Sequence, residues 1–305
     1  MPKDLRSLPK LRDSLTFLYI EHAILEQDAL SIVMIQKEKR TPIPIAAMTV
    51  LMIGPGVSVT HAAIKAITDN GCMVVWCGEH AARFYGYGMG ETRSAQNLLM
   101  QATCCVDETR HMEVVRRMYL RRFPNVDCST LTLQQIRGLE GVRMREAYRQ
   151  MAKLHGVKWS KRSYKQEDWD AADPINRALS YANTILYSIC QAAIISLGFS
   201  TGLGFVHTGK MLSFVYDIAD LYKAETTIPV AFSVIGSGSI QNNEAQIRRE
   251  CRFAFRRHKL LERIPKDIFW LFEQEETTTI GKTTGDLWDA EHGKIEGGIN
   301  HAGEQ

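Results

Sequence analysis

The stretch GYGMGET, Gly86 to Thr92, separates two kinds of chain. Before it, apolar residues come in short runs rich in β-branched and aromatic side chains. LTFLYIEHAIL, SIVMIQ, TVLMIG, CMVVWC and ARFYGY all predict strands. One short helix is predicted among them: Thr60 can cap HAAIKAITDN, and Gly71 stops it. The strands stand too close together for repeated βαβ units, so a small antiparallel β domain is expected. After the glycines the pattern becomes helical. The fold class is therefore α+β and multidomain, with a small β-rich domain over residues 1–88, an α-helical domain over 89–276, and a flexible acidic tail over 277–305.

Within the helical part, RSAQNLLMQATCCVDETRHMEVVRRMYLRRF lacks Pro and Gly and predicts one long element up to Pro124. A second should start at Ser129 or Thr130 and stop at Gly156. Asp173 and Pro174 open a third, and Gly198 closes it. A last amphipathic helix is expected over roughly 241–263.

Composition removes several functional classes. The chain of 305 residues is 45% hydrophobic and 23% charged. No apolar run suggests the roughly 18 residues of a membrane helix. The charged start MPKDLRSLPKLRD does not read as a signal peptide. Seven scattered cysteines form no C-x-x-C pair, which suits reduced thiols in a cytoplasmic protein rather than a metal or disulfide framework. The net charge is +3, but Glu273 to Gln305 holds eight acids against two lysines, so the remaining residues carry +9. A basic body with an acidic tail suggests a polyanion partner for the body and a different partner for the tail.

GFVHTGKM, Gly204 to Met211, matches the phosphate-loop pattern G-x-x-x-x-G-K-[ST] except at its last position. Met211 offers no hard oxygen to a hard cation, and no buried strand precedes the loop, so a nucleotide site is not expected. The following MLSFVYDIADLYK places Met211, Phe214, Val215, Ile218 and Tyr222 on a helical stripe. Asp217 and Asp220 are expected to share the opposite face. With His207 just before the helix, an imidazole and two carboxylates meet at one end. Such mixed ligands suit Mg²⁺ or Mn²⁺ in phosphodiester chemistry. Two solvated aspartates beside a structural histidine would leave the same pattern. A further ligand must come from elsewhere, and by spacing Glu140 in RGLEGVR is no better than Glu146.

Together, GFVHTGKMLSFVYDIADLYK and QQIRGLEGVRMREAY resemble the CRISPR-associated adaptation integrases, the Cas-one family, in the form of subtype I-E. GPGVSVTHAAIKA, VVWCGE and INRALSYANTILYS extend the resemblance over essentially the whole chain. It implies a β-sandwich-like N-terminal domain that dimerises, an α-helical catalytic domain, and assembly of homodimers on the partner subunit Cas-two. It implies integration of captured double-stranded DNA into a CRISPR repeat by attack of 3′-OH ends. The family's divalent-metal site maps onto Glu140, His207 and Asp220, with Asp217 as the supporting acid. A metal-dependent nuclease for branched DNA using the same residues is the alternative, and a non-catalytic DNA scaffold a third reading.

The basic residues fall in three clusters: Arg248, Arg252, Arg256, Lys259 and Arg263; Arg116, Arg117, Arg121 and Arg122; and Arg137, Arg143, Arg145 and Arg149. They fit phosphate binding. The resemblance assigns DNA contacts to Lys65, Arg83 and Arg248, and site aromatics to Tyr164, Trp169, Tyr187 and Tyr216. Lys210, Arg252 and Arg256 complete the candidate DNA surface. Two positions depart from the subtype's pattern. His22 stands where a tyrosine wedge is expected, with Tyr19 nearby, and Ser58 replaces an arginine. The acidic tail with Trp288 matches the partner-docking segment.

Overall fold

The computed structural model describes residues 17–29, 31–79, 83–90, 95–123, 131–162, 173–238, 243–273, 287–289 and 293–295. Eight strands precede the long helices: β1 (Phe17–Ile20), β2 (Ile24–Asp28), β3 (Ser31–Gln36), β4 (Lys39–Ile43), β5 (Val50–Ile53), β6 (Ser58–Val59), β7 (Met73–Cys77) and β8 (Phe84–Gly88). Helix α1 (His61–Asp69) lies between β6 and β7, and Thr60 accepts from the Ala63 N–H as its cap. The strands form two sheets, ordered β1-β5-β7-β8 and β4-β3-β2-β6.

The expectation of an antiparallel domain is corrected. β5 pairs in parallel with both β1 and β7, and β2 pairs in parallel with β6. The segment β5-α1-β7 is a crossover unit, too compact to stand out in the sequence. Its strands VLMI and MVVWC read as continuous apolar runs because the sheet is covered on both sides. Leu51, Ile53 and Val74 face the second sheet, packing with Leu25, Ile32, Ile43, Ala63 and Ile67. Val50, Met52, Met73 and Val75 face the other way, against Ala192 and Ile195 of a later helix. Successive residues point to opposite faces, so each strand supplies both layers.

The helical part comprises α2 (Gln96–Val106), α3 (Glu108–Arg122), α4 (Leu133–His155), α5 (Pro174–Ser196), α6 (Ser213–Ala219), α7 (Thr227–Gly236), α8 (Asn243–Arg257) and α9 (Leu260–Leu271). The α+β expectation holds. The long helix before Pro124 is two helices. Asp107 leaves helical geometry (φ −82°, ψ 115°) and caps α3 by accepting from the Arg110 N–H. Thr132, rather than Ser129 or Thr130, caps α4 in a reciprocal box with Gln135. Gly156 ends α4 in the left-handed region at φ +65°. The last amphipathic stretch also divides, at Lys259, whose φ is +51°. Helix α7 has no counterpart among the expected elements; its Pro229 sits in the first turn, where a missing N–H costs nothing.

Asp173 caps α5 through the Asn176 N–H, and Pro174 occupies the first turn, as the sequence predicts. Contrary to the expectation from composition, α5 is long and apolar enough to cross a membrane, but 72% of its apolar window is packed inside the protein. It is the central helix of the larger core, lined by Phe214, Val215 and Ile218 of α6, Phe232 of α7 and Ile264 of α9. In the tail, β9 (Leu287–Asp289) pairs antiparallel with β10 (Gly293–Ile295).

Candidate metal centre and nucleic-acid interface

Gly198 leaves α5 at φ +80° and starts the loop that carries His207. Gln101, fully buried on α2, holds this loop from beneath. Its side-chain amide donates to the Ser200 and Leu203 carbonyls at 3.0 and 2.8 Å and accepts from the Ser200 N–H at 2.7 Å. His111 of α3 is 3.0 Å from the Phe205 carbonyl through Nε2. Both anchors lie about a hundred residues away in sequence, and no local pattern singles them out.

The near-miss phosphate loop does cradle an anion, and the anion is Asp217. The N–H groups of Phe205 and Val206 donate to its Oδ2 at 2.6 and 3.1 Å, and the His207 N–H donates to its Oδ1 at 2.9 Å. The His207 ring adds a fourth contact, Nδ1 to Oδ1 at 2.7 Å. Successive N–H groups converging on one charge form an anion nest, here filled from within the chain. Gly204 is required because a Cβ there would lie 2.2 Å from the His207 carbonyl oxygen.

Asp217 therefore does not share a solvated face with Asp220: it is fully buried, whereas Asp220 closes α6 and is partly exposed. Met211, assigned to the apolar stripe, is 79% exposed instead. The helix starts only at Ser213, so Met211 precedes it. Pinning Nδ1 leaves Nε2 facing Asp220, 4.0 Å from its Oδ2. The hydrogen bond to Asp217 raises the His207 pKa above its ordinary value, more than burial lowers it.

Burial opposes ionisation of Asp220, but Lys223 and Arg122 outweigh it and hold its pKa below the usual carboxylate value. Lys223 reaches Asp220 Oδ1 at 2.5 Å, and its ammonium lies 4.8 Å from the centre of the Tyr187 ring. Tyr187 meets Tyr216 edge-on at 5.0 Å, and Tyr216 meets His207 at 5.8 Å. Glu140 arrives on α4 and pairs with Arg122, whose other terminal nitrogen lies 3.7 Å from Asp220 Oδ2. The structure thus brings Glu140, His207, Asp217, Asp220, Tyr187 and Tyr216 into one region. It adds Arg122 and Lys223, which the sequence leaves unassigned to the site.

Among the described residues, no three His, Cys, Asp or Glu side chains are already gathered closely enough to enclose an ion. The donor chemistry nevertheless fits a divalent cation. A carboxylate behind Nδ1 orients Nε2 as a ligand, the usual support for a metal-binding histidine. The Asp220 carboxylate beside it is a hard oxygen donor.

The other candidate positions are dispersed. Lys65 is exposed and pairs with Asp69 at 2.7 Å. Arg83, Lys210, Arg252 and Arg256 are exposed. Arg248 donates to the Tyr181 hydroxyl at 2.6 Å and lies 3.5 Å from Glu79, on the wall of a cleft of about 460 Å³. The expected arc from Arg248 to Arg263 is interrupted where α8 ends, and Arg263 turns to Glu225 at 2.7 Å. The cluster of four around Arg121 is not a free basic face either. Arg117 pairs with Glu113 and Glu273, Arg121 with Asp267, and Arg122 with Glu140. Of the arginines near Glu140, Arg143 stacks over Phe123 and Arg149 pairs with Glu146. His22 is exposed with φ +50°, whereas the Tyr19 hydroxyl donates to Glu21 at 2.7 Å. Tyr164 and Trp169 lie outside the described residues.

Comparison with known proteins identifies the family of the chain. The family described as CRISPR associated protein Cas1 matches residues 17–127 and 121–260. A CRISPR-associated endonuclease Cas1 of Thermus thermophilus is 47% identical over 99% of this chain and 94% of that protein. One from a Clostridium species is 39% identical over 97% of this chain and 99% of that protein. The solved structure described as a TtCas1-DNA complex superposes with a TM-score of 0.79 at 50% identity, covering 87% of this chain and 99% of that one. The chain belongs to the Cas1 family of CRISPR-associated proteins.

Proposed function

We propose that this protein is a metal-dependent DNA integrase that joins captured DNA fragments to a CRISPR repeat. The observation that carries the reading is His207, fixed by buried Asp217 so that Nε2 faces Asp220. His207, Asp220 and Glu140 would hold Mg²⁺ or Mn²⁺, which when bound offsets the charge that develops on a phosphodiester during in-line displacement. The reaction exchanges one phosphodiester for another: the donor 3′-oxygen forms a bond to phosphorus as the bond to the repeat's 3′-oxygen breaks. That balance needs no nucleotide, in keeping with a loop whose N–H groups are committed to Asp217.

The chain's own residues have separable roles. Lys223 neutralises Asp220 and keeps it ionised. Tyr216 meets the imidazole edge-on, and Tyr187 backs Tyr216 and lies against the Lys223 ammonium. Lys65, Arg83, Lys210, Arg248, Arg252 and Arg256 are proposed to hold DNA phosphates, a role supported by the DNA-bound relative. Homodimerisation fits the edge strand β8, whose Tyr85 and Tyr87 are 67% and 50% exposed. Assembly on Cas-two and the I-E-like subtype rest on the motif resemblance, and the proposed domain limits 1–88, 89–276 and 277–305 rest on the glycine-rich break at Gly86 to Thr92 and on the acidic, Gly/Thr-rich tail. A cytoplasmic setting suits the reduced, buried thiols of Cys77, Cys190 and Cys251.

A second reading follows from the relatives, which are named endonucleases. There, water replaces the donor 3′-OH at the same site. A plasmid-joining assay with labelled donor DNA, run with Mn²⁺ or EDTA and with free or blocked 3′ ends, separates the two. Label transfer that needs both metal and a free 3′-OH supports integration; metal-dependent nicking that ignores the block supports the nuclease.

A further inference from the structure

Arg122 occupies an unusual position for a basic residue beside a cation site. Its side chain is 5% exposed and its guanidinium joins three elements. One terminal nitrogen pairs with Glu140 of α4. The other lies 3.7 Å from Asp220 Oδ2 and donates to the Asp217 carbonyl of α6 at 3.4 Å. Its Nε is buried and has no hydrogen-bond partner among the described residues. Arg121, next along α3, is anchored on buried Asp267, which also accepts from the Tyr222 hydroxyl at 2.7 Å. Helix α3 is therefore fixed on both sides of the site, while the Arg122 guanidinium is held chiefly by two of the carboxylates assigned to metal.

The geometry points to Arg122 as a resident counter-cation that competes with the divalent ion for Glu140 and Asp220. This rests on the metal-site reading above. Without a metal, the guanidinium offsets the charge of the two carboxylates that it bridges. On metal uptake, Glu140 would hold the ion in place of Arg122, whose guanidinium would keep its contact with the Asp217 carbonyl. A purely structural arginine would support the site in both states, and its loss would weaken metal binding.

The experiment is Mn²⁺ titration of the full chain by calorimetry, with melting temperatures measured with and without metal. Arg122→Gln should melt lower without metal yet bind Mn²⁺ at least about tenfold more tightly, since one positive charge within a few ångströms has been removed. Arg122→Lys should fall between the two. Unchanged or weaker Mn²⁺ binding in a folded Arg122→Gln protein overturns the inference. If that variant does not fold, guanidinium ¹⁵N NMR of the wild-type chain decides: Mg²⁺ should shift the Arg122 signals, and signals unmoved at saturation overturn it. His207→Ala is the control. If it leaves Mn²⁺ binding intact, the metal-site reading fails and this inference with it; if it abolishes binding while Arg122→Gln does not tighten it, only the inference fails.

Discussion

His207 donates its Nδ1 proton to Asp217 across 2.7 Å, and that carboxylate is entirely buried. Three backbone N–H groups point at the same two oxygens, so the charge that orients the imidazole also holds the loop's shape. Site and loop are one electrostatic unit.

Asp217→Asn tests that unit. An amide offers one acceptor and turns a donor toward groups that are themselves donors. Stability should drop by about 2–3 kcal/mol, the cost of unsatisfied buried donors. Mn²⁺ affinity should drop by roughly 10–100-fold, as for other outer partners of ligating histidines. Calorimetry and thermal melting read both, and an unchanged Mn²⁺ affinity would remove Asp217 from its supporting role.

The raised His207 pKa sets a pH dependence. Metal binding requires the neutral ring, so Mn²⁺ affinity should rise with pH through a midpoint above the ordinary histidine value. In Asp217→Asn that midpoint should move down. For the metal-free fold the sign is opposite: the imidazolium–Asp217 contact stabilises fully below the unfolded pKa and is lost as pH climbs through the raised folded one. Titrating His207 by NMR checks the order; equal midpoints in the two proteins would contradict the stated cause.

Two glycines in the loop should differ in their tolerance. Gly209 has φ +82° with nothing near the position an added methyl would take, so Gly209→Ala should cost only the left-handed penalty of about 1–2 kcal/mol. At Gly204 the methyl meets the His207 backbone at 2.2 Å, and backbone cannot swing aside. Gly204→Ala should be the more damaging change in both melting temperature and Mn²⁺ binding. The reverse ranking would contradict the nest geometry.

Phosphate contacts predict a salt dependence. If the six proposed cations all engage DNA, log K should fall against log salt with a slope of about −5.4. Replacing exposed Arg252 and Arg256 by Gln should flatten the slope by roughly 1.8. A slope that the double variant leaves unaltered takes α8 out of the interface.

Local rules made much of the fold legible. Asp173, Pro174 and Gly198 mark the ends of α5 because capping involves only groups within a few residues. The same is true of Thr60 before α1 and Gly156 after α4. The breaks at Asp107 and Lys259 were less visible, since each interrupts a pattern that could have continued as helix. The parallel pairing of β1, β5 and β7 could not be read locally, because it joins segments separated by other strands and a helix.

In the candidate site, His207, Asp217 and Asp220 were legible from one short segment, and the resemblance supplied Glu140. What the sequence determined by itself was the order of strands before helices, the ends marked by caps and glycines, and the presence of an imidazole near two carboxylates. Only the tertiary structure decided which carboxylate is buried, which faces Nε2, and which cations compensate them. Asp217 and Asp220 have the same side chain, three residues apart. Their difference arises because Asp217 enters a nest of N–H groups while Asp220 meets Lys223 and, from α3, Arg122. Burial and charge partners are properties of the packed chain, and they turn two like residues into a buried anchor of the loop and a half-buried carboxylate beside Nε2.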